Sequence, residues 1–225
     1  MLAGAARPAA LTPPSLAVVI GTGVLVVVLV VLLWSVVGHL VTFAHEGGHA
    51  LMAVLLGSRI AGVRLHADRT GVTEYTKPLL RLPVTAAGYL APSAFGIVGA
   101  ALVARGRAEA VLWGSLVLLG LLLLVTVNWF GRFAVLLTGV ALFGTLQRGS
   151  PDVRVLVACV EVWLLLVGGL VHVLQDGRRG VDFGTLRSLT WIVPAALWAA
   201  VATLAAAGAL GYGGLLLLGA VRGPG

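Results

Sequence analysis

The 225-residue chain is short of what a soluble domain relies on. Only 10% of its residues are charged, against about 25% in soluble globular domains. It has eight acidic residues and one cysteine. A lone Cys159 excludes an intrachain disulfide and any multi-cysteine metal site. The charges also leave long stretches with none. Several of those stretches reach the roughly 18–20 apolar residues that cross a bilayer. Alternating barrel-type strands are missing too. Lipid-facing backbone must satisfy its own hydrogen bonds, so the pattern implies an all-α polytopic membrane protein. The formal charge of +7 does not point to nucleic acid. The basic residues stand one or two at a time between apolar runs, as the loop charges that orient a membrane protein do.

Two tails and one membrane-embedded domain are expected. Residues 1–14 are Ala/Pro-rich and read as a flexible tail, and 221–225 as a short basic one. Between them, 15–220 form a single domain with a β-hairpin insertion at 58–81. The apolar run Ser15–Trp34 lacks a small-x-small cleavage site and reads as an uncleaved first span. Further spans are expected at Gly38–Leu56, Val84–Ala104, Ala110–Val127, Phe133–Leu146, Val153–Leu174 and Leu189–Leu210. That makes six to seven transmembrane helices, with the Phe133 span short enough to be tilted. Gly211-Tyr212-Gly213-Gly214 is expected to loosen the last helix. In the segment after Gly57, Ile60, Val63 and Leu65, then Val72 and Tyr75, flank the turn-like Asp68-Arg69-Thr70-Gly71, which predicts the hairpin. With seven spans, ten loop basics fall on the side of the N-terminus and hairpin and five on the other. The positive-inside rule then places the N-terminus in the cytoplasm. Richness in Ala, Val, Leu, Gly and Arg points to a bacterial plasma membrane.

The most informative string is His45-Glu46-Gly47-Gly48-His49, set between apolar runs. Two imidazoles four residues apart share one face of a helix, with a carboxylate beside the first. That spacing binds Zn²⁺ and supplies a general base to a metal-activated water. Ionisable groups within a span are costly unless they are used. A helix-packing role for the three residues is the bland alternative. His45 and His49 are therefore the expected ligands and Glu46 the expected catalytic base. A third protein ligand is required. Asp176 and Asp182, just before the last span, are the main choices, and spacing alone does not separate them. His172, His39, His66 and Glu161 are weaker, and Glu161 inside its span needs a partner. Gly47 and Gly48 cost helix stability. Their bare surface suits either close approach of a substrate or hairpin, or ordinary helix packing.

Phe43-Ala44-His45-Glu46-Gly47-Gly48-His49-Ala50 resembles the signature helix of the site-2 proteases, the intramembrane zinc metalloproteases. The hairpin Arg59 to Thr76 resembles that family's membrane-associated β-region. Gly71-Val72-Thr73, Ala87-Gly88-Tyr89-Leu90-Ala91-Pro92-Ser93 and Asn128-Trp129-Phe130-Gly131 look like a compact bacterial branch of site-2-protease-like peptidases. So does Val181-Asp182-Phe183, followed by Pro194-Ala195-Ala196-Leu197-Trp198. The resemblance covers about residues 35–200. It implies Asp182 as the third ligand, with Asp176-Gly177 the alternative, and a substrate-binding role for Asn128.

The expected activity is hydrolysis of peptide bonds in membrane-embedded substrates by a zinc endopeptidase. Its expected partners are a transmembrane protein or peptide substrate and the lipid bilayer, with no nucleic acid. The sequence leaves the oligomeric state open. The competing reading is a non-catalytic membrane scaffold, a pseudoprotease that keeps the site geometry. Transport ranks low, because Glu161 is the only clear mid-span acid outside the motif.

Overall fold

A computed structural model describes residues 14–77, 79, 81–179 and 181–220. The two expected tails therefore lie almost wholly outside the described residues. In chain order the elements are α1 (Leu16–Leu55), β1 (Ile60–Leu65), β2 (Gly71–Tyr75), α2 (Arg81–Ala104), α3 (Ala108–Val125) and α4 (Trp129–Arg148). There follow α5 (Pro151–Arg179), α6 (Val181–Thr190) and α7 (Ala195–Ala220). Six of the helices, all but α6, are long and apolar enough to cross a membrane. The expectation of an all-α membrane protein with a small hairpin holds.

Helices α2 and α5 form the centre, and α1 and α7 pack on both. Small residues allow the close approach. A side chain at Gly96 would run into Leu166, and one at Gly99 into Val162. Around this contact Val19, Val103, Leu112, Cys159 and Leu217 make a core that is essentially inaccessible. Apolar residues cover much of the outer surface, including Val31 at 73% and Leu204 at 72% exposed, as a lipid-facing surface requires. Glu161 finds the partner its position demands: the Ser115 hydroxyl on α3 donates to it.

Two boundaries differ from the expected ones, and a third matches. The break expected between the first two spans is there: α1 consists of two arms parted at Leu33 by non-helical angles (φ −125°, ψ 28°), next to the expected end of the first span at Trp34. A straight helix of that length would reach about 60 Å, twice the hydrocarbon thickness. The break makes two arms, and Trp34 just past it donates its indole N–H to Gln175 of α5 at 2.7 Å. The Phe133 span is a full 20-residue helix. At the C-terminal end, α7 begins after Pro194 rather than at Leu189, and it runs unbroken through Gly211–Gly214. A separate ten-residue helix, α6, occupies the space before it. The turn between them carries Trp191 at a positive φ of 57°.

The hairpin is antiparallel, with Arg64 opposite Val72 and Val63 opposite Thr73. Strand alternation places Val63 and Leu65 inward, at 0% and 1% exposure, against Phe43, Leu122 and Val135. The far edge of β1 is occupied. Val127 N–H donates to the Val63 carbonyl at 2.9 Å. Asn128 then acts like a backbone unit: its Oδ1 accepts from Leu65 N–H at 3.0 Å and its Nδ2 donates to the Leu65 carbonyl at 2.6 Å. Although Asn128 is the N-cap of α4, its side chain makes no capping bond, because it is spent on the strand. Asn128→Ala should cost about 1–3 kcal/mol, because it leaves both Leu65 groups unpaired in a buried place. Hydrogen exchange at the Leu65 amide should accelerate. Unchanged protection there would contradict this role.

Candidate metal centre

Helical spacing does the first part of the work. His45 and His49 lie one turn apart on the second arm of α1, 4% and 7% exposed. Their Nε2 atoms stand 3.0 Å from each other. The Nδ1 of His49 is 2.7 Å from the Val84 carbonyl of α2. That carbonyl can only accept, so Nδ1 carries the proton and Nε2 presents a lone pair. A side chain at Gly88 would collide with the His49 ring, so glycine there is a steric requirement of the ring's position.

The second part comes from α6. Asp182 sits in its first turn, where the helix dipole favours an acid. Its Oδ2 reaches 3.4 Å from His45 Nε2 and 3.7 Å from His49 Nε2. The neighbouring Phe183 fixes the helix. Its ring stacks on Tyr89 of α2 with centroids 4.1 Å apart and planes within 2°. Tyr89 also meets His45 edge-on at 5.3 Å, and its hydroxyl donates to Asp176. Asp182 is thus in the donor cluster, and Asp176 stands behind it on the Tyr89 hydroxyl.

These donors fit a divalent ion. Ligands bound at 2.0–2.1 Å to a tetrahedral zinc lie about 3.3–3.4 Å apart. The three observed separations are 3.0, 3.4 and 3.7 Å. The set of two neutral imidazoles and one carboxylate suits zinc and leaves a fourth position open.

Glu46 is 3% exposed and lies outside the donor cluster. One of its oxygens accepts the Thr73 hydroxyl of β2 at 2.7 Å. Gly71 of the same strand packs directly on the carboxylate, where any side chain would collide with it. The motif's own two glycines divide their tasks. Gly48 packs on Ala87 and Ala91 of α2, whereas a side chain at Gly47 would meet nothing within 4 Å.

The strand β2 has one edge to offer. His66 and Thr70 form a hydrogen-bonded pair at the turn, so backbone bonding alternates from there. Val72 faces β1, while the N–H and C=O groups of Gly71 and Thr73 face away from it. Among the described residues those groups have no hydrogen-bond partner. The edge runs beside Glu46 and borders a cavity of about 130 Å³. His45, Glu46, Arg69, His172, Asp176 and Asp182 contribute to its lining.

Of the weaker candidates, His172 lies beside the site, its ring centroid 4.6 Å from that of His45. His39 turns to the Val36 carbonyl and the Phe130 ring, and His66 is exposed in the hairpin turn. Sequence reasoning missed Thr73, Val84 and the Tyr89–Phe183 stack as supports of the site. Tyr89 and Phe183 stood in strings that carried the family resemblance, but nothing in the sequence paired them.

A family model described as Peptidase M50B-like matches residues 17–213 of the chain. No curated protein and no solved structure gives a match.

Proposed function

Since the chain belongs to the Peptidase M50B-like family, that of the site-2 proteases, we propose that it is an intramembrane zinc endopeptidase acting on membrane-embedded peptides. The observation that carries this reading is the convergence of three buried donors from α1 and α6 beside a carboxylate that is not one of them. His45, His49 and Asp182 hold the ion. When bound, zinc polarises the scissile carbonyl and makes water acidic enough to attack near neutral pH.

The chain's own residues supply the rest. Glu46 takes a proton from the attacking water and delivers it to the leaving amine nitrogen. Thr73 keeps the carboxylate turned toward the cavity through its hydroxyl. A helix hides its peptide bonds, so the substrate unwinds before cleavage. The outward backbone groups of Gly71 and Thr73 pair with it as an added strand and lay it across Glu46. Asn128 serves the substrate indirectly, by closing the opposite edge of the hairpin and holding it in place. With the two arms of α1 crossing separately, the loop basics support a cytoplasmic N-terminus, and the richness in Ala, Val, Leu, Gly and Arg supports a bacterial plasma membrane.

Purified protein in liposomes, given a fluorogenic transmembrane peptide, should cleave it. A zinc chelator should abolish cleavage, and added zinc should restore it. Cleavage that persists after the metal is stripped would refute the proposal.

A further inference from the structure

Arg69 is held over the metal cavity by two contacts between its turn and α1. Its left-handed backbone, with φ at +69°, closes the three-residue turn 67–69, in which the Arg69 N–H donates to the His66 carbonyl at 3.1 Å. Its carbonyl accepts the Thr42 hydroxyl at 3.0 Å, which latches the hairpin turn to the motif helix. Its Cδ lies 3.0 Å from where a side chain on Gly38 would begin. Any larger residue at 38 would push the arginine away. Gly38, Thr42, His45 and His49 succeed one another at spacings of four, three and four, so they share a face of α1. Arg69 therefore lies along the face that carries the donors, about 10 Å from His45 by helical rise.

Its guanidinium is uncommitted. Nε donates to the Asp68 carbonyl at 3.3 Å. Among the described residues no carboxylate pairs with Arg69 within 4 Å. The Asp68 carboxylate is already occupied by the Thr70 N–H and hydroxyl at 3.0 and 2.6 Å. The other charged groups lining the cavity with Arg69 are acidic, Glu46, Asp176 and Asp182, beside two histidines.

We propose that Arg69 is a specificity-determining residue that binds a carboxylate side chain of the peptide substrate. The proposal rests on the peptidase reading above and names the substrate class for it. The strand geometry also gives the position. Gly71 lies against Glu46, and Arg69 is two residues before it in the turn, within about 7 Å, the most that two residues span. A peptide paired to the edge of β2 has the rise of a strand. Its acidic residue therefore falls two to three residues from the bond that is cut. The forked guanidinium suits a carboxylate in two-point contact.

Binding tests this without turnover. The zinc-loaded Glu46→Gln protein in nonionic detergent is titrated with fluorescein-labelled peptides. They differ only in carrying Asp, Asn or Lys two or three residues from the central bond, on either side. In one of these placements Asp should bind about tenfold more tightly than Asn, with Lys weakest. In an Arg69→Glu background that order should reverse. A packing role for Arg69 would weaken all three peptides equally. Equal affinities, no binding by any peptide, or an order that Arg69→Glu leaves unchanged would overturn the proposal. Cleavage by the Glu46-containing protein is read separately, so a failed carboxylate preference is distinguishable from a failed peptidase.

Discussion

Glu46→Gln should lower kcat/KM by about 10²–10⁴-fold, the usual worth of a positioned general base. The change is nearly isosteric, and the amide oxygen can still accept the Thr73 hydroxyl that reaches Glu46 at 2.7 Å. What disappears is the ability to take a proton at neutral pH. Zinc content should stay at one per chain, because the proposed donors are His45, His49 and Asp182, and Glu46 lies outside that cluster. Stability should not fall, since the substitution removes an ionisable group from a site only 3% exposed inside a membrane helix. The pairing of lost activity with retained metal distinguishes a base from a ligand. Parallel loss of both would make Glu46 a ligand or a folding determinant. Activity within a few-fold of the original would remove it from the chemistry.

The two aspartates should separate in metal affinity. Asp182→Ala removes a direct donor whose oxygen lies 3.4 and 3.7 Å from the two imidazole nitrogens. It should weaken zinc binding by more than about 100-fold, beyond the 10–100-fold cost of changing a group behind a ligand. Asp176→Ala acts only at a distance. It releases the Tyr89 hydroxyl, and Tyr89 stacks on Phe183, the neighbour of Asp182. The expected loss is about tenfold. Competition titration with a chromogenic zinc chelator measures both variants. The reverse ranking would move the third ligand to Asp176.

The parts of the site that were legible in the sequence were those fixed by local geometry. His45 and His49 needed only the helical repeat to share a face, and the apolar flanks put that helix in a membrane. The hairpin was equally local, because its turn residues and alternating apolar positions lie within one short segment. What could not be read was anything that depends on α6. Val181–Thr190 is short and polar, and its neighbour Pro194, rather than Leu189, starts the last helix. With that helix unseen, spacing did not separate two aspartates six residues apart, and only the family resemblance favoured Asp182. The Tyr89–Phe183 stack, which holds Asp182 beside the two histidines, joins residues 94 positions apart. Asn128 shows the same limit. Its string resembled a substrate-binding element, but its amide pairs with Leu65, which no local pattern announces. The break in α1 at Leu33, by contrast, falls beside Trp34, where the sequence placed the end of the first span.

The most direct measurement is anomalous diffraction at the zinc edge from crystals of the metal-loaded protein. The expected result is one ion with Nε2 of His45 and His49 at about 2.0–2.1 Å and an oxygen of Asp182 at about 2.0–2.2 Å, the fourth position free of protein donors. An ion bound elsewhere, or one held at this site without both histidines and Asp182, would contradict it.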